Sequence, residues 1–166
     1  MIIREVEIAD APSLLDLMIQ LDHETKFMML EPGERTTTLE QQVQIIRSFR
    51  ETVSKSMFIL SEDSSIYGFV VGVGKTAQRN KHTLACIIGL TQAVSGQGYG
   101  KQLLAKLESW AKVNQFTRIE LTVMCHNERA HRLYLSSGYE VEGIKRRSLF
   151  IDDQYVNEYY MSKLLN

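Results

Sequence analysis

Between His82 and Val123 the chain runs from a long apolar segment into "SGQGYG", then into a stretch of helical periodicity and a second apolar run. Gly96, Gly98 and Gly100, three of the ten glycines in the chain, fall within five positions of this passage. Such a pattern predicts strand, tight loop, helix and strand, because glycines at a junction license positive φ and a close approach of the backbone. A helix beginning there also gathers free N–H groups at its positive end, which makes an anion site. A tight turn with no ligand would use the same residues. Two familiar phosphate loops fail on spacing. A P-loop needs four residues between its first glycine and the Gly-Lys pair, whereas only three separate Gly96 from Gly100-Lys101, and Gln102 brings no hydroxyl for magnesium. A G-x-G-x-x-G fingerprint begun at Gly96 ends on Lys101, and one begun at Gly98 ends on Leu103. Glu120 is then a chance match to a ribose-binding acid.

The remainder of the chain surrounds this passage with alternating helical and strand periodicities. Residues 2–8 are predicted as a strand, and Asp10 as the N-cap of a helix carrying Leu14, Leu17, Met18 and Leu21 at helical spacing. An irregular, polar connection follows, punctuated by Pro32-Gly33, with room for one helical turn. A second helix is predicted from about Thr38, since Leu39, Val43, Ile46 and Phe49 share one face. Residues 57–75 form a hairpin around "SEDSS", and 79–81 turn the chain again. The next strand is expected to reach about Val94, with Gly89 marking either a bulge or a close backbone approach. A helix over about 98–113 leads to "RIELTV", which puts Ile119, Leu121 and Val123 on one face. Asn127 caps a further helix that Gly138 ends, and a hairpin turning at Asp152-Asp153 closes the chain.

Composition narrows the classes of function. At 166 residues, 44% hydrophobic and 23% charged, the chain suits one domain over 1–166 with a sizeable core. Its net charge of −1, with Lys and Arg spread throughout, provides no field for nucleic acid or an anionic membrane. Lys145-Arg146-Arg147 is the nearest approach to a basic cluster and reads as a solvated strand face. Cys86 and Cys125 lie in or beside apolar runs with no ligand spacing, so no metal is expected. The N-terminus lacks a signal-peptide pattern and no run approaches the ~18 apolar residues of a membrane span, so a cytoplasmic protein is expected.

Two segments together resemble the GNAT superfamily of acyl-CoA-dependent N-acyltransferases. The first is Ser95-Gly96-Gln97-Gly98-Tyr99-Gly100, similar to the family's [RQ]-x-x-G-x-[GA] junction, with Ser95 in place of the usual Arg or Gln. The second is "NERAHRLYLSSGYEVEG", where Asn127, Ala130, Leu133, Tyr134, Gly138 and Tyr139 fall in register with N-x-x-A-x-x-L-Y-x-x-x-G-[FY]. What the resemblance implies is an α/β mixed fold: a strongly twisted, mostly antiparallel sheet of about seven strands, splayed in the middle and flanked by about four helices. It implies acetyl-CoA as acyl donor. Pantetheine would pair with backbone around Ile88, Leu90 and Gln92, and pyrophosphate would rest on Ser95, Gly96, Gln97, Gly98, Tyr99, Gly100 and Lys101. Lys101 reads equally as a solvated helix lysine.

Acyl transfer to an amine needs a neutral nucleophile, a stabilised oxyanion and a proton for the departing thiolate. Asn127 and Tyr134 are seven residues apart, two helical turns, and share a face. Packing alone would account for Tyr134; by resemblance it is the general acid, Asn127 lines the cofactor, and a backbone N–H near Leu90 meets the oxyanion. Relatives often place a glutamate on the strand before the glycine loop, yet "ACIIGLTQAV" contains no acid. The base is then a relayed water or a carboxylate from elsewhere: Glu31 first, with Glu24, Glu34 and Glu158 beside it. His23 and His82 sit among turn-like charged residues, and Cys125 reads as structural. Acids within 22–34 suggest a cationic acceptor, a small-molecule or peptide amine, and the last hairpin's edge could support a homodimer. The rival classes are a non-catalytic acyl-CoA sensor and a mononucleotide- or NAD-binding protein.

Overall fold

The computed structural model describes residues 1–166. Seven strands form one sheet: β1 (Ile2–Glu5), β2 (Lys55–Glu62), β3 (Ser65–Gly74), β4 (Thr83–Leu90), β5 (Arg118–Met124), β6 (Glu140–Ile151) and β7 (Gln154–Leu164). Four α-helices accompany them: α1 (Ala11–Glu24), α2 (Leu39–Glu51), α3 (Tyr99–Val113) and α4 (Glu128–Ser136). The strand order is β1-β2-β3-β4-β5-β7-β6, and every pair is antiparallel except β4 with β5. That single parallel pair requires a crossover, which α3 supplies.

The exception is also where the sheet opens. β4 stays in register with β3 from Leu84 to Leu90, but pairs with β5 only through Thr83, Leu84 and Ala85. β5 continues along β7 to Met124 opposite Glu158. Beyond Ala85 the two central strands therefore have no pairing with each other, and a gap divides a β1–β4 half from a β5–β7 half. β6, expected as part of a closing hairpin, is the outer edge.

Each face of the sheet buries its own core. Phe58, Leu60, Leu84, Cys86 and Ile119 lie with Leu103, Leu107 and Tyr134 from α3 and α4. Met57, Ile59, Phe69 and Val71 lie with Leu14, Leu17, Leu21 and Ile46 from α1 and α2. β2 contributes to both cores by simple alternation, which is why its "MFIL" reads as a continuous apolar run.

Several local expectations are met. Thr38 caps α2, accepting from Gln41 N–H at 3.1 Å while its own N–H donates to Gln41 Oε1 at 2.9 Å. Asp152 and Asp153, at φ 50° and 61°, turn the final hairpin. Others are corrected. β1 stops at Glu5, and Ile8–Asp10 form a short 3₁₀ turn before α1. Asp10 does not cap α1 with its side chain: Arg4 grips the carboxylate with two bonds of 2.8 Å, and Glu7 N–H donates to it at 2.7 Å. β4 ends at Leu90, and Gln92–Val94 form a second 3₁₀ turn. No bulge occurs at Gly89, where the register is unbroken; the position needs glycine because a Cβ would lie 2.7 Å from the Phe69 ring.

At the opposite end from the gap, Arg118 binds Glu142 with bonds of 2.6 and 2.7 Å and also reaches Glu120, fastening β5 to the β6 edge. The guanidinium, helped by the Ser162 hydroxyl, holds the Glu142 carboxyl down at about 2. A carboxyl lowered from an unfolded value near ~4.3 adds stability above that value and loses it as pH falls toward the folded one. Because 43% of the Glu142 side chain is exposed, screening limits the gain to no more than about 1 kcal/mol. Thermal melts of the native chain and Glu142→Gln should differ at neutral pH and converge between about pH 4.5 and 2. Equal melting temperatures at pH 7 would show that the pair contributes nothing.

Candidate active site

Three features converge where β4 ends: a glycine loop, an open strand edge and a tyrosine on a short helix. In the loop, Gly96 and Gly98 have φ of +79° and +86°, and open space surrounds each, so conformation alone demands glycine there. Gly98 is the N-cap of α3 and its carbonyl receives Gln102 N–H at 3.2 Å. The amides of 96–101 have no acceptor in the protein. Facing open solvent at a helix N-terminus, they can receive an anion. Gly100 serves a different end, since a Cβ there would meet Leu133 Cδ2 at 2.9 Å and Leu90 Cδ1 at 3.3 Å. Its absence lets the first turn of α3 approach both α4 and β4. Ser95, where Arg or Gln was the family pattern, donates its hydroxyl to Thr91 O at 3.2 Å, and Gln97 Nε2 donates to Ala93 O at 2.9 Å. Both side chains therefore hold the loop to its own 3₁₀ turn. Tyr99 packs partly into the α3–α4 core, and Lys101 is exposed on the first helical turn with no ion pair.

The open edge of β4 follows from parity. Thr91 N–H donates to Tyr67 O at 2.9 Å and Thr83 O accepts from Lys75 N–H at 3.0 Å, so odd-numbered residues turn their backbone groups to β3. Even-numbered ones face the other way, as His82 O shows by accepting from Thr117 N–H at 3.0 Å. The N–H and C=O groups of Ile88 and Leu90 thus point into the gap, unpaired by β5. Gln92 differs from this expectation: its N–H is already committed to Glu24 Oε2 at 2.9 Å, and its side chain donates to Glu24 O at 3.2 Å.

On the α3–α4 face, Tyr134 is buried among Cys86, Leu121 and Tyr139. Its hydroxyl has no hydrogen bond within the protein, and burial, with Cys86 beside it, pushes the phenol well above its ordinary value. Burial likewise pushes the Cys86 thiol up to about 12, and raises Cys125. Neither thiol supplies thiolate at neutral pH. Asn127 caps α4 with Oδ1, which accepts from Ala130 N–H at 3.2 Å, so only its amide group remains for a ligand.

The acids separate on the opposite face. Glu31 is exposed in the α1–α2 connection and its carboxylate has no hydrogen bond or ion pair. Glu34 is used locally, accepting from Glu31 N–H at 2.9 Å. Glu158 is buried on β7 with Lys145 Nζ at 3.7 Å. Glu24, the last residue of α1, alone among these four contacts the end of β4, through Gln92. His23 bonds Ile19 O, and His82 is exposed at the turn that begins β4, at the other end of that strand. Two further histidines carry aromatic contacts. His126 follows β5 and stands 5.2 Å from the Phe27 ring, and His131 stacks on Tyr159 at 4.8 Å with Nε2 buried and unpartnered. His131 lies between Asn127 and Tyr134 at helical spacing, a signal that was available; nothing local marks His126. No three His, Cys, Asp or Glu side chains gather as metal ligands, and no helix is long and apolar enough to cross a membrane.

Residues 18–139 match the family model described as acetyltransferase (GNAT) family. The chain is 31% identical over 64 residues to the L-amino acid N-acetyltransferase AaaT of Escherichia coli (strain K12), a stretch covering 39% of this chain and 38% of that protein. Its fold matches an acetyltransferase of the GNAT family from Streptococcus pneumoniae with a TM-score of 0.94, at 25% identity over 99% of each chain. It also matches yncA of Salmonella typhimurium, solved with its cofactor acetyl-CoA, with a TM-score of 0.87 and 16% identity over 99% of this chain and 94% of that one.

Proposed function

Because the chain belongs to the acetyltransferase (GNAT) family, we propose that residues 1–166 form one catalytic domain that moves an acetyl group from acetyl-CoA to a primary amine by direct attack. The observation that carries this reading is the junction itself: free amides at the start of α3 adjoin unpaired backbone groups of β4. The open space around Gly96 and Gly98 fits a phosphate group, and the strand edge fits an amide-bearing chain. Residues 96–101 would hold the diphosphate, with Lys101 adding charge, and Ile88 and Leu90 the pantetheine.

Acetyl-CoA supplies an activated thioester when bound. Leu90 N–H faces the gap and is the donor for a developing oxyanion. Tyr134 Oη, free of protein partners, holds a proton for the departing sulfur. Glu24 stands on the other face of the sheet, and we assign it as proton acceptor in preference to Glu31, whose carboxylate makes no bond to the end of β4. As the nitrogen of the neutral amine forms its bond to the acetyl carbon, its proton passes to the Glu24 carboxylate; the carbon–sulfur bond then breaks, and Tyr134 Oη donates a hydrogen bond to the departing CoA thiolate. The raised pKa values of Cys86 and Cys125 favour direct transfer over an acyl-cysteine route. The acceptor class remains a small-molecule or peptide amine. Acids in the 22–34 region already have partners within the protein, Asp22 in Arg35 and Glu24 and Glu34 each in a backbone amide, which weakens the expectation of a strongly cationic partner.

Calorimetric titration should show CoA binding with neither ATP nor NAD competing. Gly98→Val should weaken that binding roughly tenfold or more, since a β-branched residue at φ +86° costs ~1–3 kcal/mol. Thiol release with a panel of amines separates an enzyme from an acyl-CoA sensor. Undiminished CoA affinity in Gly98→Val would remove the loop from the binding site.

A further inference from the structure

Asp22 is the most buried carboxylate in any ion pair of this molecule, with 2% of its side chain exposed, and its partner is Arg35 at 14%. Arg35 Nε donates to Oδ2 at 2.6 Å and Nη2 to Oδ1 at 3.0 Å, a two-pronged grip. Asp22 lies in the last turn of α1, and Arg35 lies three residues before the Thr38 cap of α2. The pair therefore brings both ends of the intervening segment to one point. Within the segment, Thr25 Oγ1 accepts from Phe27 N–H at 3.1 Å, and Gly33 turns the chain at φ +84°. Its outward contacts reach the other half of the sheet. Phe27 packs on His126 after β5, and Lys26 pairs with Asp152 at the β6–β7 turn. A segment rooted on the β1–β4 half thus crosses to the β5–β7 half on the face that carries Glu24.

Burying two charges costs desolvation that their attraction repays poorly, so such a pair is weak as a source of stability. What a two-pronged buried pair does supply is registry. The exposed contacts at Lys26 and Phe27 are too weak to hold the segment unaided, because an exposed ion pair contributes ~0–1 kcal/mol.

We propose that Asp22 and Arg35 are positioning residues: their pair clasps the base of residues 25–34, holds that segment across the gap, and so sets the affinity for the acceptor amine without acting on CoA. This rests on the acetyl-transfer reading for the identity of the acceptor side. The clasp itself is a separate physical statement.

The test compares the native chain, Asp22→Asn, and the double variant Asp22→Leu with Arg35→Met, which replaces the pair by apolar groups. Hydrogen exchange over 25–34, the melting temperature, the CoA dissociation constant and the acceptor KM are measured, using the best amine from a panel of amino acids, polyamines and short peptides. The double variant should melt at or above the native temperature, bind CoA within about twofold of native, exchange faster over 25–34, and show an acceptor KM raised about tenfold or more. Asp22→Asn should move exchange and acceptor KM in the same direction but melt below native, because it leaves the Arg35 charge buried without its partner; should it fail to fold, the double variant carries the comparison. Native exchange over 25–34, or a native acceptor KM, in a stable double variant overturns the clasp. Should the native chain acetylate no amine, the acetyl-transfer reading falls, and the exchange rates by themselves decide whether the clasp stands.

Discussion

A Glu24→Gln enzyme is expected to bind CoA like the native chain and turn over about 10²- to 10⁴-fold more slowly, the usual contribution of a positioned general base. The substitution is chosen for what it keeps. Glutamine presents an oxygen to Gln92 N–H where Glu24 Oε2 now accepts at 2.9 Å, and a flip of the Gln20 amide lets its oxygen accept from the new NH2 in place of the bond Gln20 now donates to Oε1, so the link between α1 and the end of β4 survives while the proton acceptor is lost. Magnitudes define the acceptor's role. Carboxylates as a class are far weaker bases than alkylamines, so one cannot strip an ammonium outright. It can take the proton once the neutral amine has begun to bond to carbon and the nitrogen has become acidic. Turnover per acceptor in both enzymes should therefore rise with pH toward the pKa of the amine, with Glu24→Gln displaced downward throughout. Steady-state rates within threefold of native, with CoA binding intact, would leave Glu24 a structural tie and nothing more.

Tyr134→Phe is expected to lower kcat by about 10²- to 10³-fold, the cost of removing one donor aimed at developing charge. It should leave the melting temperature and CoA affinity nearly unchanged. The hydroxyl has no partner in the protein, so its loss orphans no buried group. Burial holds the phenol far above its ordinary value, which keeps it protonated across neutral and alkaline pH. The same shift limits what it does with that proton. A thiolate of pKa near ~8.5 is the weaker base, so full transfer from Tyr134 is uphill and the phenol serves chiefly as a hydrogen-bond donor. Native kcat should accordingly show no decline between pH 8 and about 10 from loss of this proton. Equal kcat for native and Tyr134→Phe over that range would dismiss Tyr134 from the reaction.

These two side chains approach the gap from opposite faces of the sheet, and they illustrate how differently the chain discloses its parts. Tyr134 and Asn127 were marked by the family resemblance of their segment, spacing showing only that they share a helix face, whereas Gly98 stood out by its place between an apolar run and a helical one. Glu24 could not be preferred over Glu31, because the distinction depends on Gln92, which is 68 residues from Glu24 in sequence. Asp10 shows a related effect: a good capping residue locally, it is taken instead by Arg4 from the preceding strand. Gly89 admitted two explanations, and only the Phe69 ring on the neighbouring strand selects close approach over a bulge.

The order of elements, the apolar alternation of β5, the Thr38 and Asn127 caps and the glycine junction were settled by the chain itself, since each depends on backbone preference and side-chain periodicity within a dozen residues. The length over which β4 and β5 pair, the carboxylate that reaches β4, and the Asp22–Arg35 clasp were decided only when the sheet assembled. Those contacts join residues from separate elements, and their energies depend on burial and distance, quantities that no local stretch of sequence contains.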